Sequence, residues 1–159
     1  MQTIPIETVE EVWKGLDALD DEGIRKLIKK LEKSQPLILA YLGTRGEEFL
    51  QGDEVGDLIF LGAVVWRCFE QISEDLNGAL TPELLERVEK RTFKAMEEAE
   101  SHEEEAAVDM ALKAAQQPLL QTVLGYLVEG GSEIHPDRQG IAFFLIKIVV
   151  DCLDGQEAS

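Results

Sequence analysis

Apolar residues recur at three- and four-residue spacing from the start of the chain: Val9, Val12, Leu16 and Leu19, then Ile24, Leu27, Ile28 and Leu31, with Arg25 and the lysines between them. That period places each set on one face of a helix. The acidic turn Asp20-Asp21-Glu22 predicts the end of one helix and a negatively charged start for the next. Pro36 suits the first turn of a third helix, where its missing N–H costs nothing, and that helix is expected to end by Gly52. Asp53 is expected to cap a fourth helix running through Leu58, Leu61, Val65 and Phe69 to a stop at Asn77-Gly78. Thr81-Pro82-Glu83 has the form of a further helix start, followed by Glu83/Arg87 and Glu86/Lys90 pairs one turn apart. No long Val/Ile/Thr alternation appears, so the chain reads as all-α, a helical bundle of about eight helices.

The pattern also repeats. Trp13-Lys14-Gly15-Leu16-Asp17 is similar to Phe93-Lys94-Ala95-Met96-Glu97 at an offset of 80. Gln35-Pro36-Leu37-Ile38 and Leu42-Gly43 return as Gln117-Pro118-Leu119-Leu120 and Leu124-Gly125 at an offset of 82. At an offset of 84, Gly56, Phe60, Leu61, Val65 and Cys68 fall on Gly140, Phe144, Leu145, Val149 and Cys152. Matches in the same order with a slowly drifting offset predict an internal duplication. The expected organisation is two tandem four-helix repeats, residues 1–79 and 80–159, related by an approximate two-fold axis and packed as one globular domain. The two most apolar stretches, 53–74 and 136–153, are expected to bury against each other. The recurring Gly43/Gly125 and Gly56/Gly140 pairs suggest close helix packing or a helix end.

Composition sharpens this picture. Among 159 residues, 32 acidic side chains face 15 basic ones, a formal charge of −17 shared almost equally between the two stretches. Such a surface repels phosphate backbones and anionic lipid headgroups, so neither nucleic acid nor membrane is an expected partner, whereas a basic protein is. No apolar run approaches the roughly 20 residues that span a bilayer. The first residues lack a basic segment followed by an apolar one, which makes the cytoplasm the expected location. Cys68 and Cys152 sit in apolar runs and are expected to be buried, reduced thiols that approach each other only if they lie near the two-fold axis.

The string Gln51-Gly-Asp-Glu-Val-Gly-Asp-Leu-Ile-Phe60 carries the most suggestive chemistry. Its Glu54-Val-Gly-Asp57-Leu-Ile-Phe resembles the Glu-x-x-Asp half of the MazG-type all-α nucleoside triphosphate pyrophosphatases. That resemblance implies Glu54 and Asp57 on one helical face as metal ligands, holding Mg²⁺ for attack on a triphosphate, with Glu47, Glu48 and Asp53 as nearby support. The family's Glu-x-x-Glu half is absent, because Glu32 is the only acid between Arg25 and Thr44. At the offset of 84, moreover, Glu54 and Asp57 fall on Arg138 and Ile141, so the acids are not shared between the repeats.

Elsewhere, Glu98, His102 and Glu105 lie at helical spacing that offers one face to a transition metal, within an acidic run better read as a solvated junction. His135, before Pro136-Asp137, reads as a cap or loop residue. Trp13, Trp66, Phe60, Phe69 and Phe144 fall on core-spaced positions, while Tyr41 and Tyr126 are not equivalent to each other. No phosphate-cradling glycine loop and no nucleophilic triad occur. The expected function is therefore a non-enzymatic protein-interaction module without catalytic residues or cofactor, itself able to form homo-oligomers. The alternative is the divalent-metal hydrolase using Glu54 and Asp57, and a third reading is a small-molecule pocket between the repeats.

Overall fold

The computed structural model describes residues 2–73, 80–98 and 103–155, which form eight α-helices and no strand. They are α1 (Ile6–Asp17), α2 (Asp21–Ser34), α3 (Pro36–Phe49), α4 (Asp53–Ile72), α5 (Pro82–Glu98), α6 (Glu103–Lys113), α7 (Gln117–Val128) and α8 (Pro136–Asp154).

Local chemistry sets most of the helix starts. Asp20 accepts a hydrogen bond from the Gly23 amide at 2.8 Å and so caps α2. Thr81 Oγ1 does the same for the Leu84 amide at 3.1 Å, and His135 Nδ1 for the Asp137 amide at 3.1 Å. Pro36 opens α3 as expected. The start of α4 differs from expectation: Gly52, at φ +46°, takes the cap position and Asp53 is already helical. That left-handed backbone suits glycine, and the Glu54 side chain supplies the missing acceptor by taking a hydrogen bond from the Gln51 amide at 2.8 Å. The α4 stop expected at Asn77-Gly78 lies outside the described residues.

The two apolar helices α4 and α8 pack against each other. Around α4 lie α1, α2 and α3, with α2 also on α3; around α8 lie α5, α6 and α7, with α6 also on α7. Between these groups, α3 also lies on α8 and α1 on α7. Every residue from Leu61 to Trp66 is buried, as is every residue from Ala142 to Ile146 and from Ile148 to Asp154. Helices apolar on nearly all sides belong at such a centre. Cys68 and Cys152 are buried free thiols, and burial pushes each up to about 12.

Of the recurring glycines, Gly43, Gly56 and Gly125 do not make close packing of helix on helix. A Cβ built on Gly43 or Gly56 meets nothing within 4 Å, and one on Gly125 meets only the Glu129 carboxyl group. The contact falls instead at Gly62 of α4, whose Cβ would stand well inside van der Waals contact distance of the Leu42 side chain on α3.

The chain's first described segment is stapled to the turn before α7. Buried Gln116 accepts from the Ile4 amide and donates to the Gln2 carbonyl, both at 2.9 Å, and donates to Asp154 of α8 at 2.8 Å. Ile4 is fully buried beneath this staple. No helix among the described residues is long and apolar enough to cross a membrane.

Candidate functional site

Glu54 and Asp57 share the first turns of α4, three residues apart, and both face the segment that joins α7 to α8. Arg138 of α8 forks Glu54, Nε to Oε1 at 2.7 Å and Nη2 to Oε2 at 2.8 Å. The His135 amide adds a third donor at 2.8 Å. Asp57 Oδ2 accepts from Ser132 Oγ at 2.9 Å and from the Glu133 amide at 2.7 Å. The Arg138 guanidinium, helped by the His135 and Gln51 amides, outweighs burial and holds the Glu54 carboxyl down at about 2.

These two carboxylates therefore lock the α7–α8 connection onto the start of α4. Mg²⁺ needs free carboxylate and water oxygens. Both Glu54 oxygens are instead taken by N–H donors, two of them from the Arg138 guanidinium, so the pair as placed does not fit the ion. Among the described residues no group of three His, Cys, Asp or Glu side chains converges as metal ligands. Glu47, Glu48 and Asp53 are exposed, and Glu48 pairs with Arg45 at 2.8 Å. Of the other spacing-based set, Glu98 and Glu105 are exposed and His102 lies outside the described residues.

A second feature begins where the Asp57 lock ends. Tyr126 of α7 packs beside Trp13 of α1, ring centres 5.1 Å apart at 58°, with Phe60 of α4 touching both at 6.0 and 6.1 Å. Trp13 and Phe60 occupy core-spaced positions, yet both are only half-buried. Between α1 and α7 runs an open groove of about 710 Å³ with Trp13 and Tyr126 in its wall. Gly125 and Gly131 line it too; a Cβ on Gly131 would collide with the Tyr126 ring, so only glycine lets the chain pass there. Exposed Glu10, Asp17 and Glu129 stand around the rings, with Lys14 as the one basic lining residue. Burial, and then the charges of Asp57, Asp17 and Glu133, push the Tyr126 hydroxyl up to about 12. An aromatic wall ringed by carboxylates has the electrostatics of a cation receptor.

Neither a known family, nor a curated protein, nor a solved structure matches this chain.

Two other concavities are balanced from within. Between α3 and α5, Arg45 forks Glu89 at 2.8 and 2.7 Å and Tyr41 donates its hydroxyl proton to the same carboxylate. Burial, with the Glu89 charge behind it, raises the Tyr41 hydroxyl far above its ordinary value. In the cleft shared by α5, α6 and α8, Lys113 pairs with Asp109 at 3.1 Å and Lys147 with Asp151 at 2.5 Å. Sequence spacing pointed to the α4 carboxylates and not to the α1–α7 groove. The available signal was Trp13 on a helix whose neighbouring positions, Glu10 and Asp17, are acidic at three- and four-residue spacing.

Proposed function

We propose that this chain is a non-catalytic, cytoplasmic helical module that binds a cationic segment of another protein. The α1–α7 groove carries the reading: Trp13 and Tyr126 give it apolar contact area, and Glu10, Asp17 and Glu129 give it the sign of its partner. The overall charge of −17 supplies steering toward the same kind of surface.

The test is calorimetric titration of the full chain with a twelve-residue peptide of mixed lysine and arginine, against its glutamine counterpart. The cationic peptide is expected to bind and to weaken about ten-fold between roughly 50 and 300 mM salt, because the rim charges are exposed to screening. A Glu10→Gln/Asp17→Asn/Glu129→Gln variant is expected to lose most of that binding. Absence of binding, or binding indifferent to the triple change, overturns the reading.

Residues 1–79 and 80–159 are, on the same proposal, tandem repeats about a pseudo-two-fold axis. Its support is the pairing scheme, in which α5 to α8 contact one another in the combinations used by α1 to α4. Co-expressed fragments 1–79 and 80–159 are then expected to reassociate into one folded complex, monitored by helical circular dichroism and gel filtration. Fragments that stay apart, or that each fold alone and ignore the other, count against it.

A further inference from the structure

We propose that the α1–α7 groove is an arginine receptor, taking the side chain of a partner's arginine against Trp13 and Tyr126 with its guanidinium forked by a rim carboxylate. This deepens the cationic-partner reading and rests on it.

The chain displays the same chemistry across a helix pair with all its parts present. Between α3 and α5, the Arg45 guanidinium carbon lies 6.0 Å from the Tyr41 ring centre while two of its nitrogens fork Glu89. A tyrosine on one helix, a carboxylate on a helix across the groove and an arginine between them make that crossing. The α1–α7 groove repeats two of the three parts: Tyr126 on α7, and Glu10 and Asp17 on α1, with Trp13 added. No arginine lines it among the described residues.

Arginine fits this setting better than lysine for two reasons. The rings beside the groove offer flat faces, on which a planar, weakly hydrated guanidinium stacks while keeping its edge N–H groups for a carboxylate. The groove is also open, so an ammonium gains little by surrendering its water to enter it, whereas stacking costs the guanidinium almost none of its edge hydration. Elsewhere in the fold Glu54 and Glu89 are each held by an arginine fork, whereas Asp151 pairs with Lys147.

The test uses the full chain and three acetylated, amidated nine-residue peptides, alike except that they carry three arginines, three lysines or three citrullines spaced by glycine and serine. Binding is followed by calorimetry and by tryptophan fluorescence. The arginine peptide is expected to bind about five-fold more tightly than the lysine peptide, and the citrulline peptide not measurably. In Trp13→Leu the arginine and lysine peptides are expected to bind alike. Gly125→Leu guards against a folding artefact, since it fills the groove from the outer side of α7 where a Cβ meets only the Glu129 side chain at 3.7 Å; it too is expected to remove the difference. Equal arginine and lysine affinity in the unaltered chain overturns the arginine assignment and leaves the cationic-partner reading standing. An arginine preference that survives both substitutions overturns the site. Failure of both cationic peptides to bind overturns the two readings together.

Discussion

Replacing Arg138 by methionine is expected to lower the melting temperature at neutral pH by about 5 °C or more, because it leaves the Glu54 carboxylate buried with only backbone amides to hold its charge. The pH dependence identifies the cause. In the intact protein the Glu54 carboxyl is held at about 2, below its ordinary 4.5. A depressed folded-state value stabilises the fold fully above the unfolded value, and that contribution fades as pH falls from about 4.5 toward 2. The methionine variant lacks the guanidinium, the largest of the causes that hold the carboxyl down, so most of that contribution is missing throughout. Urea unfolding between pH 2 and 7 should therefore show a gap between the two proteins that is widest near neutrality and closes toward the acid end. Arg138→Lys keeps the charge without the fork and is expected to fall between them. A gap that does not change with pH would mean that Arg138 acts through packing and not through Glu54.

Two glycines inside helices should respond to alanine with opposite signs. Gly43 has open space where a Cβ would stand, so Gly43→Ala is expected to stabilise α3 by about 0.5–1 kcal/mol through the lower backbone entropy of the unfolded chain. Gly62 is buried where α4 crosses α3, and its Cβ would enter the volume of Leu42, itself 1% exposed. Leu42 is nearly fully buried in the core, so overpacking of about 1–3 kcal/mol is expected to exceed the roughly 1 kcal/mol gained in helix propensity. Urea midpoints with unchanged slopes check both. Two shifts of the same sign would show that helix propensity, and not the α3–α4 contact, governs these sites.

What could be read from the sequence was what is encoded within a few residues. Asp20, Pro36, Thr81 and His135-Pro136 each mark a helix start by local chemistry, and the apolar stretches of α4 and α8 announce a shared centre. The cap at Gly52 was harder to see, because a positive φ leaves no trace beyond the glycine itself and Asp53 is an equally good capping type. Long-range partners were not legible at all. Nothing near Glu54 indicates that a guanidinium 84 positions later takes both its oxygens, nor near Asp57 that Ser132 will reach it. Trp13 shows the same limit from the other side: its spacing marks an apolar stripe, but only the packing of α7 beside α1 decides that it lines a groove and stays half-buried.

The Glu54–Arg138 fork has a historical consequence. Arg138 follows Glu54 by 84 positions, the same offset that aligns the apolar residues of α4 with those of α8. In a symmetric dimer of identical chains, a residue close to the two-fold axis meets its own copy. A glutamate there would face a glutamate and an arginine an arginine, and neither makes an ion pair. Attraction at that position becomes available only after both copies are encoded in one gene and can mutate separately. If the proposed duplication began as a homodimer, its fusion would have turned a place where like charges meet into a lock: two first halves would now set carboxylate against carboxylate, and two second halves cation against cation.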